Sequence, residues 1–136
     1  NPRYIHASDI MCKEPYILSK DRTVIQALQV MRQNAVNSII ITNGKNRHFE
    51  GMVWLEDLRD LDDESMSKNL GEVVSSDYVT VCEDTSLQDI IDEIDYKKSG
   101  LIPVLNERGE LRGSLTKSIL LATLSRRYKT SEEAVE

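Results

Sequence analysis

The sequence predicts an α/β fold of the α+β kind, in which two repeats, each a small sheet with two helices, pack with pseudo-two-fold symmetry. The first observation is a spacing of 63 residues that recurs between matched positions: Ile10 and Val73, Thr23 and Ser86, and Met31 and Ile94. The second is that each half carries an amphipathic helix followed by a strand, a turn and a strand. A unit of about 60 residues cannot bury both faces of its sheet alone, so we expect equivalent clefts between the halves.

The first repeat begins with a short helical turn at residues 8–11, for which Ser8 is placed as N-cap, and an extended segment at residues 15–18. Thr23 and Gln26 match a capping box, in which two side chains satisfy exposed backbone N–H groups reciprocally. This pattern predicts a helix that starts at Thr23. The helix should bury one apolar stripe, formed by Val24, Ala27, Leu28 and Met31.

A hairpin and a second helix complete the first repeat. Residues 38–42 are too few for a buried helix and are rich in β-branched side chains, which favours a strand. A turn at residues 43–46 leads into an antiparallel strand at 49–54. Residues 55–61 then predict a short helix.

An acidic, polar segment at residues 62–69 links the two halves. The same order of predicted elements then repeats in the second half. Its first helix has an apolar stripe at the same spacing as that of the first repeat, formed by Leu87, Ile90, Ile91 and Ile94. A closing helix follows Lys117 and is predicted to end near Tyr128. We therefore divide the chain into a first repeat at 1–64, a second at 65–130 and a frayed acidic tail at 131–136.

Composition excludes several classes of function. The chain has 136 residues and a net charge of −6, which argues against nucleic acid as a partner because such binding depends on neutralising phosphates. Cys12 and Cys82 form no paired motif, and His6 and His48 have no metal-ligand spacing, so neither a disulfide framework nor a metal site is expected. No apolar run is long enough to cross a membrane. The first residues look like a cut in a longer polypeptide.

The paired motifs resemble the CBS domain, which occurs in tandem as a Bateman module. The first copy carries Asp9-Ile10-Met11 with Pro15, the capped helix from Thr23, the strand 38–42, Gly51-Met52-Val53 and Glu56-Asp57-Leu58. The second carries residues 100–104, Gly109 and residues 113–117. Each motif is weak alone, but two copies in the same order are specific.

A narrower resemblance is to the C-terminal regulatory region of ATP-binding subunits in glycine betaine, carnitine and choline ABC importers. It is carried by DIMCKEPYILSKDRTVIQALQVMRQNAVNSIIIT and SSDYVTVCEDTSLQDIIDEI. No G-x-x-x-x-G-K-[ST] motif occurs, so the resemblance implies an attached nucleotide-hydrolysing domain upstream. It implies a non-catalytic module that senses ionic strength or an adenine nucleotide such as cyclic di-AMP, the latter bound at the module's dimer interface.

The resemblance also implies partners and a location. The module would form a homodimer, attached to an ATP-binding domain and, through it, to a membrane permease, in the cytoplasm at the inner face of the cell membrane. It requires no cofactor. The alternative is a ligand-free dimerisation module of another cytosolic protein.

CBS pairs hold adenine nucleotides in clefts between the repeats, where a T-x-x-D pattern contacts ribose. This chain departs from that pattern in both copies. The first copy keeps Asp57 but has Trp54 in place of the hydroxyl, and the second keeps Thr116 but has Ile119 in place of the carboxylate. The resemblance therefore leaves ribose binding by this pair in doubt.

The second copy is the better ligand candidate because Lys117 adds a positive charge beside Thr116. Its predicted ligand-binding residues are Tyr78, Val79, Thr80, Ile102, Pro103, Val104, Thr116 and Lys117. The alternative for these is ordinary packing and a solvated lysine. The first cleft is weaker, since Trp54 is more simply explained as a buried plug and Asp57 as a first-turn acid of its helix. No catalytic constellation is present.

Overall fold

The computed structural model of the chain describes residues 4–94 and 100–135, with side chains up to residue 126. In this part the helices are α1 (Ala7–Ile10), α2 (Val24–Asn34), α3 (Leu55–Arg59), α4 (Leu87–Glu93) and α5 (Lys117–Val135). The strands are β1 (Ile17–Ser19), β2 (Ser38–Asn43), β3 (His48–Trp54), β4 (Val81–Cys82), β5 (Leu101–Leu105) and β6 (Leu111–Thr116). Short 3₁₀ helices lie at Asp63–Ser67 and Leu70–Glu72.

Two three-stranded sheets have the same topology. In the order β1-β2-β3, the first pair is parallel and the second antiparallel, and β4-β5-β6 repeats this arrangement. The antiparallel register shifts between Ile41 and Thr42 in the first sheet and between Val104 and Leu105 in the second, which are equivalent positions at the 63-residue spacing. The predicted fold class is confirmed.

The first helix of each repeat forms where its cap predicts it. The Gln26 N–H donates to Thr23 Oγ1 at 3.3 Å and the Thr23 N–H to Gln26 Oε1 at 2.9 Å, which completes the capping box of α2. The Asp89 N–H donates to Ser86 Oγ at 3.2 Å and begins α4 in the same way. Most of the predicted stripes are buried in two core clusters, each formed by one sheet and the helices that pack on it.

Several local predictions are wrong. The N-cap of α1 is His6 rather than Ser8, because the His6 N–H donates to the Asp9 carboxylate at 2.8 Å. Helix α3 ends at Arg59, before the predicted end at residue 61, and α5 continues to Val135, beyond the predicted end near Tyr128. The frayed tail at 131–136 stays a prediction.

None of the helices in the described part of the chain has the length and apolar character to cross a bilayer.

The linker at residues 62–69 forms a short 3₁₀ helix that is capped by one of its own side chains. Asp62 caps the 3₁₀ helix Asp63–Ser67, since its carboxylate accepts from the Ser65 hydroxyl at 2.6 Å and from the Ser65 N–H at 3.0 Å. These bonds from Ser65 favour the charged form and lower the pKa of Asp62. The link between the halves is therefore a capped turn rather than a free tether.

The segment that opens each repeat packs on the other repeat. We call residues 5–12 the first leader and residues 68–75 the second leader. Ala7 is buried in the core of the second repeat and its N–H donates to Thr85 O at 2.9 Å. Leu70 is buried in the core of the first repeat and its N–H donates to Arg22 O at 2.8 Å. Each core is thus completed by a leader from the opposite half of the chain.

The pseudo-two-fold relation is visible where the two hairpins meet. The Phe49 N–H donates to Gly109 O at 2.9 Å, and the Leu111 N–H donates to Arg47 O at 2.8 Å, in a reciprocal pair. A third apolar cluster lies between the two sheets and contains Ile40, Met52, Trp54 and Leu111. The repeats therefore form one packed body, with the candidate clefts beside this central contact.

Candidate ligand cleft

A cleft of about 680 Å³ opens between the two repeats. We call it the Thr116 cleft. Its volume lies within the range of about 300–1,000 Å³ that is typical of small-molecule sites. One wall comes from the first half of the chain and consists of Cys12, Glu14, Pro15, Tyr16, Ala35, Val36, Asn37, Ser38 and Leu55. The other comes from the second half and consists of Gly100, Leu101, Ser114, Thr116 and Ile119.

The first wall is shaped by the end of α2. Ala35 takes a left-handed conformation (φ 54°), which stops the helix and turns the chain toward β2. The Val36 N–H then returns to Met31 O at 3.0 Å, while Asn37 O accepts from the Leu55 N–H at 2.9 Å. The helix end is thereby tied to the start of α3, which holds this wall in place.

The two walls are joined by a backbone bridge. The Cys12 N–H donates to Ser114 O at 2.8 Å, and the Ser114 N–H donates to Cys12 O at 2.9 Å. The adjacent Gly113 permits this approach, because a Cβ there would lie 2.6 Å from Cys12 O and 2.7 Å from Met11 Sδ. The first leader therefore reaches the cleft only because β6 has no side chain at this position.

Thr116 lies in the cleft, but its hydroxyl already has a structural role. Its Oγ1 accepts from the Ile119 N–H at 3.2 Å and so satisfies a free donor at the start of α5. A threonine hydroxyl has one donor and two acceptor sites, so its O–H is still available to a ligand. Ile119 lines the same cleft and adds apolar surface where the T-x-x-D pattern has a carboxylate.

The lining is mostly apolar and carries little charge. Among the residues described as lining the cleft, Glu14 is the single carboxylate, and none is a lysine or an arginine. Ser38 and Ser114 are only 8% and 3% exposed, and both line the cleft. Tyr16 is 49% exposed and offers an aromatic ring. This arrangement suits a ligand with apolar surface and a few hydrogen-bond donors.

The position equivalent to Thr116 in the first repeat is filled. Trp54 is 7% exposed, and its indole Nε1–H donates to Asp77 O at 3.2 Å. Beside it, the rings of Phe49 and Tyr78 meet edge to face with centroids 5.1 Å apart. We call Trp54, Asp77, Phe49 and Tyr78 the Trp54 cluster. Asp57 is exposed on the following helix, α3.

The structure does not bring the predicted site residues into one cleft. Thr116 lines the cleft, whereas Tyr78 belongs to the Trp54 cluster and Val79 packs against the core of the second repeat. Ile102 and Val104 are fully buried in that core. The other predicted members lie outside the cleft lining as well: Thr80 is half-buried, Pro103 is buried and Lys117 is exposed. A ligand-binding role for these residues stays a prediction.

Two physical reasons explain the difference. Side chains on a strand alternate, so Leu101 faces the cleft while Ile102 faces the core. The exchange of leaders also places Pro15 and Tyr16, rather than their equivalents Tyr78 and Val79, beside Thr116. Sequence reasoning therefore missed the first wall, including Glu14 and Asn37. A signal was present, since Pro15 and Tyr78 are 63 residues apart, but the spacing does not say which half each segment contacts.

Comparison with known proteins supports the same fold. A family model for the CBS domain matches residues 7–64 and 70–126. The chain is 30% identical over 122 residues to the choline transport ATP-binding protein OpuBA of Bacillus subtilis, covering 89% of this chain and 31% of that protein. It is 29% identical over 122 residues to the glycine betaine/carnitine/choline transport ATP-binding protein OpuCA of the same organism, covering 88% and 31%.

A solved structure of Staphylococcus aureus OpuCA matches with a TM-score of 0.73 and 25% identity, over 86% of this chain and 97% of that one. These matches confirm the resemblance drawn from the sequence motifs. The chain spans about a third of the length of the curated relatives it matches.

Proposed function

The chain belongs to the CBS domain family, and from this we propose that it is the regulatory module of an ATP-binding subunit in an osmoprotectant ABC transporter. The observation that carries the proposal is the Thr116 cleft, which is built from both repeats. In this proposal the module itself is non-catalytic. ATP hydrolysis belongs to another part of a longer protein, as the partial coverage of the relatives suggests.

The proposed ligand is an adenine nucleotide such as cyclic di-AMP. For cyclic di-AMP the proposed site is the interface of the homodimer, and for a mononucleotide it is the Thr116 cleft. The cleft has the volume for a base and sugar, and it offers an aromatic ring, hydroxyls and an amide. The relatives' names connect them to choline and to glycine betaine, carnitine and choline transport, which supports control of osmoprotectant uptake. Ionic strength acting on the charged surface is the second input that we propose.

The mechanism we propose is a population shift. A ligand that contacts both walls stabilises the arrangement in which the walls are close, and it changes activity only if that arrangement differs from the unliganded one. The first leader is part of this coupling, because it packs on the second repeat and continues into Cys12 and Glu14 in the cleft. The same proposal includes a homodimer and a cytoplasmic position at the inner face of the membrane, with a permease as partner.

Calorimetry with cyclic di-AMP, AMP and ATP tests the proposal on the 136-residue chain, with light scattering to measure the oligomeric state. We expect saturable heat for at least one of these nucleotides. In the complete transporter, we expect that nucleotide to change the rate of ATP hydrolysis. An intact dimer that gives no heat with any of the three would refute the ligand-sensing role.

A second candidate is a ligand-free dimerisation module. Three observations at the T-x-x-D positions favour it. The Thr116 hydroxyl already caps α5, Ile119 is apolar where the pattern has a carboxylate, and Trp54 fills the position equivalent to Thr116. The same experiment distinguishes the two candidates, because this one predicts an intact dimer that gives no heat of binding with any of the three nucleotides.

A further inference from the structure

Cys12 places a thiol in the wall of the Thr116 cleft. Cys12 and Cys82 are both free and exposed. The two hydrogen bonds between the backbones of Cys12 and Ser114, at 2.8 and 2.9 Å, fix Cys12 against β6. The thiol is therefore held at a boundary of the cleft rather than on a loose loop, and a small molecule in the cleft lies within its reach.

Two buried serine side chains face the same cleft from opposite walls. Ser38, on the first wall, is 8% exposed, and Ser114, on the second, is 3% exposed. Side chains two residues apart on a strand point to the same face of the sheet. Ser38 therefore points the same way as Ile40, which packs between the two sheets. By the same alternation, Ser114 points the same way as Thr116, which lines the cleft.

The hydroxyls of these two serines have no hydrogen-bond partner within the described part of the chain. No fully enclosed polar side-chain atom there lacks a partner, so both serine oxygens are open to the cleft. Buried hydroxyls are normally hydrogen-bonded. The pair therefore suits an occupant that carries hydrogen-bonding groups and lies beside Cys12.

We propose that Cys12 is a site of reversible modification by a low-molecular-weight disulfide. The Cys12 thiol gives its proton to water, and its thiolate attacks one sulfur of the disulfide. A new S–S bond to Cys12 Sγ forms and the original S–S bond breaks. The other half of the reagent leaves as a thiolate and takes up a proton, so Cys12 is oxidised and the leaving half is reduced. The attached half occupies the cleft, where the hydroxyls of Ser38 and Ser114 hydrogen-bond to it.

Cys82 provides an internal comparison in the same chain. It lines a separate polar pocket that is formed by the second repeat alone. There the Arg112 Nε lies 3.5 Å from the Glu83 Oε2, so charged groups of this pocket already pair with each other. Cys82 is as accessible as Cys12 but lacks the pair of open, buried hydroxyls.

Mass spectrometry of the 136-residue chain treated with hydroxyethyl disulfide tests the site. We expect a mixed disulfide at Cys12 that dithiothreitol removes. It should form about tenfold faster than the adduct at Cys82, because the cleft holds the reagent beside the thiol. Equal rates at the two cysteines, faster reaction at Cys82, or no adduct at Cys12 would overturn the proposal. This chemistry needs no nucleotide, so its outcome is independent of the calorimetry that tests the proposed function.

Two variants separate the cleft from the thiol. Ser114→Ala removes no hydrogen bond within the described chain, so urea denaturation should show unchanged stability, whereas the rate at Cys12 should fall by about threefold relative to Cys82. An unchanged ratio of rates would overturn the role of the cleft. Cys12→Ser should remove the fast adduct and keep the fold, because serine already occupies the equivalent position, Ser75, of the second leader. A fast adduct that persists in Cys12→Ser would overturn the assignment to Cys12.

Discussion

Thr116 and Trp54 occupy equivalent positions in the two repeats, but one borders an open cleft and the other fills its place. Each residue ends the last strand of its sheet and precedes a helix. The backbone registers of the two sheets match, including the shift in each antiparallel pair. The difference is therefore made by side chains: a small hydroxyl leaves space, and a buried indole occupies it.

The comparison also shows that the two functional groups of the T-x-x-D pattern are divided between the halves. The hydroxyl stays with Thr116 and the carboxylate with Asp57, so neither position has both. Repeat symmetry preserves the scaffold, while single substitutions decide which cleft is available. Variants that exchange these side chains test this explanation.

The largest effect is expected from Trp54→Thr. Loss of a buried tryptophan should lower the free energy of unfolding by about 3–5 kcal/mol, because contacts in the apolar cluster between the two sheets are lost and a cavity remains. The new hydroxyl would stand three residues before Asp57 and complete the T-x-x-D pattern. Urea denaturation measures the stability, and calorimetry should show a second nucleotide site.

Trp54→Phe is the matched control for this prediction. It keeps most of the apolar volume but cannot donate to Asp77 O, so it should cost less stability and open no second site. Equal stability of wild type and the threonine variant would show that Trp54 does not fill the equivalent position.

The next largest effect is expected from Gly113→Ala. The added Cβ would overlap Cys12 O, a backbone atom that cannot move without displacing the first leader. We expect the free energy of unfolding, measured by denaturant titration, to fall by about 1–3 kcal/mol, as in overpacked cores. Ligand binding should also be weaker. Gly100→Ala is the control, because a Cβ added at Gly100 would have no atom within 4 Å among the described neighbours. Similar losses in both variants would refute the role of the close approach.

A smaller effect is expected from Thr116→Ala, which removes the hydroxyl that caps α5. Loss of an N-cap bond costs about 1 kcal/mol, and the same hydroxyl is proposed to contact the ligand, so both stability and affinity should fall. Lys117→Ala should change affinity little, because Lys117 is exposed and outside the cleft lining. Equal losses of affinity would instead support the sequence prediction that Thr116 and Lys117 act together.

The fold was predictable because its signals are local and repeated. The capping box at Thr23 and the stripes of α2 and α4 depend on residues within one or two turns, and the recurrent 63-residue spacing links the halves. The cleft was only partly predictable. Thr116 was found from its motif, but its neighbours Glu14 and Tyr16 depend on the exchange of leaders.

The exchange of leaders depends on packing between residues that are far apart in the sequence. Ala7 and Leu70 are both small or medium apolar residues, and either core accepts an apolar side chain of this kind. Gly113 admits the Cys12 carbonyl and the Met11 side chain, and Gly51, at the equivalent position of the first repeat, lies close to Val74 and Ser75 of the second leader in the same way. A glycine in a strand indicates close approach of some backbone, but not which one.

The smallest effect is expected at the hairpin tips, where the repeats differ again. Glu110 is equivalent to His48, and its pKa is lowered by the hydrogen bond from the Asn106 side chain (2.7 Å) and by the nearby cations Arg108 and Arg112. A lowered pKa means that the charged form stabilises the fold above the ordinary carboxyl pKa, and that this contribution is lost as the pH falls through the lowered value. The unfolding midpoints of wild type and Glu110→Gln should therefore differ at pH 7 and converge as the pH falls below the ordinary glutamate pKa and through the lowered one. Glu107→Gln is the control, because it makes the same charge change in the same turn. If the unfolding midpoints of wild type and Glu107→Gln converge by the same amount, the response comes from net charge rather than from the hydrogen bond from Asn106.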